Sequence, residues 1–284
     1  MASLMMRPAM LAALAALALA LWPGVGGAQG RLDARYIATL SGIPIGQGTW
    51  TVDISDDHYN ATANGKTTGL LSVFASGQGA GAARGTVSGG QPIATSYAAT
   101  IVTERKRDEV KMLLGSGNVR EFAVEPPVPS DPERIPLTEA HRRGVTDPMT
   151  ASLQRVSGNG DPLSANSCPR QLSIFDGRLR YDLRLAFKRI DFVKADRGYE
   201  GPAVVCSVSF MPIAGFIPDR VAIRYLAAQR DIEAWLVPVA GTRVLVPFRV
   251  SIPTPLGPGV LQATHFISSA QAGRRPTTAS AKTQ

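Results

Sequence analysis

From Gln29 onward, apolar and polar residues alternate with a period of two through most of the chain. Successive side chains of a strand point to opposite faces, so such runs predict strands with one face in a core and one in water. Residues 32–40 and 47–54, joined by the Gly- and Pro-containing link 41–46, predict a hairpin. Further strands are predicted over 58–65, 70–81, 94–102, 107–115 and 119–124. The Pro-rich stretch 125–136 cannot be a central strand. The same patterning resumes after it, which favours one domain over two.

The segment Phe175–Lys188 carries the longest alternation: apolar Phe175, Leu179, Tyr181, Leu183, Leu185 and Phe187 against charged Asp176, Arg178, Arg180, Asp182, Arg184 and Lys188. It predicts one long amphipathic strand, suited to a coiled sheet or barrel. After Lys188 the phase inverts and Ile190 and Phe192 take over the apolar face, which predicts a β-bulge at Lys188–Arg189. Residues 201–216, 232–239, 242–254 and 259–267 read as strands, whereas 219–231 is ambiguous between strand and helix. Asp147 before Pro148 has the form of a helix N-cap with proline at the first helical position. Met149, Leu153 and Val156 share a helical face, so one short helix is expected at 148–157, ended by Gly158. The predicted architecture is mainly β: one large antiparallel, strongly curved sheet, barrel-like or a β-spiral, over residues 29–268. Residues 269–284 are polar and aperiodic and are expected to be a disordered tail.

The N-terminus departs from this pattern. Arg7 precedes an unbroken apolar run, Pro8–Trp22, followed by Pro23 and the small residues Gly26, Gly27 and Ala28. The run is about 15 residues against the roughly 20 of a membrane span, so residues 1–28 read as a cleaved signal peptide. The mature chain is then expected in the periplasm, beginning near Gln29, with no transmembrane segment. A formal charge of +8 over 284 residues fits contact with anionic envelope components or simply a solvated basic surface. Nucleic acid is not an expected partner, because the basic residues are dispersed rather than clustered with aromatics.

In an oxidising compartment the two cysteines, Cys168 and Cys206, are expected to form a disulfide. The alternative, a metal or catalytic thiol, lacks ligand-type neighbours in NSCPR and VVCSV. His58, His141 and His265 stand at no metal-ligand spacing and are read as surface or structural residues. The Gly-rich run Ser76–Gly85 lacks the Gly-Lys-Ser/Thr ending of a phosphate loop and is read as a flexible hairpin region. Asp176 and Asp182, six apart on the predicted strand, would be ~20 Å apart, too far for concerted acid–base work. They are expected to pair with Arg178, Arg180 or Arg184. Asp147 is assigned to capping, and Trp50, Trp235 and Tyr181 to the core. No catalytic residue, cofactor or metal site is expected.

Four stretches carry a family resemblance: Tyr36–Gly48, Gly144–Ala151, Cys168–Leu183 and Tyr199–Cys206. Jointly they resemble a bacterial exported family catalogued as domain of unknown function 3108, over about residues 32–267. The resemblance implies a periplasmic, mainly-β, barrel-like or spiral domain whose two cysteines match a usual pair. It implies no catalytic residue. Three functions compete. The first is a non-enzymatic envelope protein holding a lipid or other apolar ligand on its concave face. The second is a structural or interaction module for envelope integrity. The third is a hydrolase of envelope polymers, which requires a cleft with converging polar groups.

Overall fold

Short Gly-containing turns convert the first run of alternating residues into an antiparallel meander. In the computed structural model, which describes residues 29–69 and 76–271, it comprises β1 (Gly30–Leu40), β2 (Ile43–Ile54), β3 (His58–Thr67), β4 (Gly77–Ser88), β5 (Gln91–Thr103), β6 (Arg107–Gly115) and β7 (Asn118–Glu125). A connecting region then carries a 3-10 turn (Glu139–Arg142), the one-turn helix α1 (Pro148–Ala151) and β8 (Gln154–Arg155). The chain returns through β9 (Arg170–Phe175), β10 (Arg180–Lys194), β11 (Arg197–Gly198) and β12 (Glu200–Ala214). Helix α2 (Val221–Ala228), β13 (Ile232–Pro238), β14 (Val244–Ile252) and β15 (Gly259–Ala270) complete it.

All fifteen strands belong to one sheet, ordered β7-β6-β5-β4-β3-β2-β1-β15-β14-β13-β12-β10-β9, with β8 on β14 and β11 on β15. The pairing of β1 with β15 joins the first and last of these strands at the middle of the sheet. The sheet curls until its edges, β7 and β9, face one another without pairing directly. A strap fills the seam: Val145 N donates to Gly117 O (2.7 Å), Thr146 N to Ser173 O (2.9 Å), and Phe175 N to Thr146 O (3.0 Å). Phe122 meets Phe175 edge-on at 5.5 Å, and Arg178 Nη2 reaches Asp108 Oδ1 at 3.3 Å across the same gap.

Within the curl, Leu32, Val52, Tyr59, Val205, Val237, Phe248 and Phe266 form the main core. A second cluster contains Val204, Cys206, Leu236 and Leu245, the alternate residues of β12–β14, so it lies on the opposite face of those strands. That face is covered by Val156, Leu163, Cys168 and Leu172 from the segment that crosses back over the sheet. Burial on both faces explains the continuous apolar runs in β12–β14. The Cys168–Cys206 disulfide, with Cα atoms 5.5 Å apart, pins the cover to the sheet.

The predicted bulge is present. Phe187 pairs with Cys206 and Arg189 with Val205, leaving Lys188 as the extra residue. It keeps Phe187, Ile190 and Phe192 on one face, but that face is the outer one. The cover extends only as far as Leu185, where β9 also ends, so these three are 39%, 45% and 66% exposed rather than core. The segment expected to be one strand from Phe175 is broken by a turn: Asp176 Oδ1 accepts from Arg178 N (2.8 Å) and Leu179 N (2.7 Å). Asp182, expected to face water, is buried, accepting from Gln171 Nε2 (2.7 Å), Ser173 Oγ (3.0 Å) and Arg180 Nη1 (2.5 Å).

The helix expected over 148–157 is a single turn, because β14 claims the backbone beyond it. Gln154 and Arg155 pair with Leu245 and Val244, and Val156 N donates to Arg243 O at 2.8 Å. The ambiguous segment 219–231 contains α2. Strand β15 runs to Ala270, two residues beyond the expected domain end at 268, because Ser269 and Ala270 pair with Arg31 and Gly30. The signal peptide read from residues 1–28 lies outside the described residues, as do 70–75 and the tail from 272. No helix among the described residues is long and apolar enough to cross a membrane.

Candidate functional site

A sheet curled this tightly has an interior that side chains must fill, or that stays hollow. One half is filled by the core described above. Toward the other half, the inward positions of β1–β5 become small: Ala38, Gly46, Gly48, Ala63, Gly65, Gly79, Gly81 and Ala99. The result is an open trough of about 650 Å³. Its ends are closed by Tyr36, Trp50 and Tyr97 on the core side, and its far wall by Pro247, Val250 and Leu261.

Backbone geometry demands glycine at Gly48, where a Cβ would lie 2.8 Å from Asn64 O, but not at Gly79 or Gly65. A Cβ at Gly79 would lie 3.5 Å from Thr100 O, and one at Gly65 3.6 Å from Gln47 O, both ordinary contacts. Glycine in a strand interior costs roughly 0.5–1 kcal/mol relative to alanine. What several of them achieve together is empty space. The run read as a flexible hairpin region, Ser76–Gly85, is therefore mostly strand β4, and its alternate residues form the floor of the trough.

Helix α1 seals one side through Pro148, Met149 and Ser152. It is held from within by Asp147, which has no solvent exposure. Asp147 Oδ1 accepts from Met149 N and Thr150 N, both at 2.9 Å, and Oδ2 accepts from the Thr150 hydroxyl at 2.5 Å. Thr150 Oγ1 in turn meets Tyr59 OH at 2.5 Å. Burial pushes the Asp147 carboxyl above the usual aspartate range, and these hydrogen bonds oppose the shift. The capping role expected for Asp147 is met, and both carboxylate oxygens are engaged in it. Burial, helped by the Asp147 charge, pushes the Tyr97 phenol up to about 12. Tyr36, also raised by burial, donates to Pro247 O at 2.7 Å. Trp50 is buried in the trough wall, and its Nε1–H has no hydrogen-bond partner among the described residues.

The three histidines are dispersed. His58 opens β3 beside Asp57, His141 lies in the 3-10 turn with Thr138, and His265 on β15. Among the described residues, no three His, Cys, Asp or Glu side chains gather as a metal site. Trp235 is buried as expected: its Nε1 donates to Asp191 Oδ2 at 3.0 Å, and the Arg189 and Arg249 guanidiniums stand over its ring. Tyr181 is half-buried against Phe210.

The fold and the trough define a mainly-β, barrel-like protein with a partly hollow inner face. The chain belongs to the family described as Protein of unknown function (DUF3108), whose profile matches residues 35–264. No curated protein matches the sequence. A crystal structure described as a beta-barrel-like protein of domain of unknown function DUF1849 from Brucella abortus is similar, at 8% identity and a TM-score of 0.43. The alignment covers 86% of this chain and 98% of that one, and no argument rests on it.

Proposed function

We propose that this protein is a non-enzymatic, exported envelope protein that holds a lipophilic ligand in the glycine-floored trough. The observation that carries the reading is the hollow itself. A concave face packed by its own side chains would leave nothing for a ligand, and this one is packed over only part of its extent. Its volume falls within the ~300–1,000 Å³ of small-molecule sites, and its lining is apolar over most of its area. Export is supported by the apolar N-terminal run and by the disulfide, which persists in oxidising compartments.

Titration of the mature chain with a dansylated fatty acid tests the reading. Gly79→Leu places a side chain in the trough without backbone conflict and is expected to weaken binding at least ~10-fold, the loss of about 1.4 kcal/mol of apolar contact. Gln78→Leu, one residue away on the outer face, is expected to leave binding unchanged. Equal binding by Gly79→Leu and the parent chain, with both folded by circular dichroism, contradicts the proposal.

A further inference from the structure

On the other side of α1 from the trough lies a second pocket of about 820 Å³, and its character is opposite. It is bounded by Thr150, Ala151 and Leu153 from α1 and the turn after it, by β8, by the disulfide-pinned cover and by the β13–β14 turn. Three guanidiniums line it: Arg155, Arg170 and Arg243. The one carboxylate among its lining residues, Asp161, accepts from Leu163 N at 2.8 Å.

Several arginines elsewhere are paired with acids: Arg31 with Asp33 and Asp53, Arg178 with Asp108, Arg180 with Asp182, Arg189 with Glu233. The three gathered here have no acid partner among the described residues. Arg170 Nη1 donates to Gln154 Oε1 (2.9 Å) and Arg155 O (3.0 Å), and Nη2 to Ser167 O (2.6 Å). Arg243 donates to Val156 O (3.1 Å) and Gly160 O (2.8 Å). These carbonyls orient the guanidiniums without neutralising them. The Arg155 side chain has neither hydrogen bond nor ion pair among the described residues. It lies over Gly90, where a Cβ would come within 2.5 Å of its Nε and where φ is +78°. The Nε–H groups of Arg155 and Arg170 and the Thr146 hydroxyl are buried without partners among the described residues. Burial lowers the Arg170 pKa, as expected for a cation withdrawn from water with no acid beside it. Gathering three half-buried cations in one pocket is unfavourable unless an anion completes it.

We infer that this pocket binds a phosphate carried on a polyol, with the guanidiniums of Arg155, Arg170 and Arg243 receiving the oxyanion. The planar guanidinium fork matches phosphate geometry. The pocket is larger than a bare phosphate needs, and Gln91, Ser157, Ser164 and Asn166 around it suit hydroxyl groups. Such a ligand can be a soluble phosphorylated polyol or the phosphoglycerol head of a lipid. The inference uses no residue of the Gly79 floor and stands or falls apart from the trough.

Calorimetry of the mature chain at low ionic strength with glycerol 3-phosphate, and co-sedimentation with phosphatidylglycerol against phosphatidylcholine vesicles, test it. Arg155→Ala is the decisive variant, because the Arg155 side chain gives the fold no hydrogen bond among the described residues, and its backbone contacts survive the substitution. It is expected to keep the parent Tm and to weaken binding at least tenfold. Arg105→Ala, an exposed hairpin arginine, serves as the control for general charge and is expected to change nothing. Binding of glycerol 3-phosphate that Arg155→Ala abolishes assigns a soluble ligand. Binding confined to phosphatidylglycerol vesicles, with the same sensitivity, assigns the lipid head. Binding to neither probe, or equal losses in Arg155→Ala and Arg105→Ala, overturns the inference.

Discussion

Asp147 shows how one side chain can fix a site. Its carboxylate accepts two backbone N–H groups and a hydroxyl at zero exposure, and so holds α1 against the trough. Asp147→Ala is expected to destabilise by about 2 kcal/mol or more, read as a lower urea midpoint, because a helix cap and a buried acceptor are lost together. The pH dependence has a definite sign. A folded-state pKa raised above the unfolded value contributes stability below the ordinary aspartate range, and that contribution is lost as pH rises through the folded pKa. The stability difference between the parent and Asp147→Asn should therefore move against the parent as pH climbs from the ordinary aspartate pKa. A difference that moves the other way contradicts the assignment. The two tryptophans of the sheet give a contrast. Trp235→Phe removes a hydrogen bond to Asp191 and weakens the stacking of two arginines, whereas Trp50→Phe removes no hydrogen bond. Trp235→Phe should cost more stability in chemical denaturation. The cap was legible in the sequence because capping depends on adjacent residues. The burial of Asp182 was not, because its partners Gln171 and Ser173 come from the neighbouring strand β9.

At the scale of elements, the bulge at Lys188 was readable because one extra residue inverts a period of two. Which face the apolar comb occupies was not readable, since that depends on where the crossing segment ends. Deleting Lys188 should turn Ile190 and Phe192 inward and push Arg189 and Asp191 away from Glu233 and Trp235. Thermal denaturation is expected to show a lower midpoint, because the same inversion turns the buried Val193 outward. The disulfide closes 38 residues, and replacing both cysteines by serine should cost about 3–4 kcal/mol in the chain-entropy view. An unchanged denaturation midpoint would show that the cover holds without it. The glycine-rich stretch resembles a linker by composition alone. Its role as a trough floor appears only once β4 is paired with β3 and β5 and every second residue, Gly79 and Gly81 among them, faces inward.

For the molecule as a whole, the sheet has two edges and a seam rather than a closed ring. Three backbone hydrogen bonds of the strap, one aromatic contact and Arg178 hold that seam. Arg178→Ala is expected to raise hydrogen exchange at the Val145 and Thr146 amides more than at the β1–β15 pairing, where both flanks are fully laddered. The mainly-β class and the curvature were legible from long alternating strands. The division of the interior into a packed half and a hollow half was not, because it depends on which small residues end up facing one another. That division is what the functional reading rests on. Native mass spectrometry of the protein, purified without detergent from a producing cell, tests it most directly. The account predicts an added mass that organic solvent extracts and that is missing from the Gly79→Leu variant. Bare polypeptide mass in both proteins, with no extractable apolar compound, would contradict it.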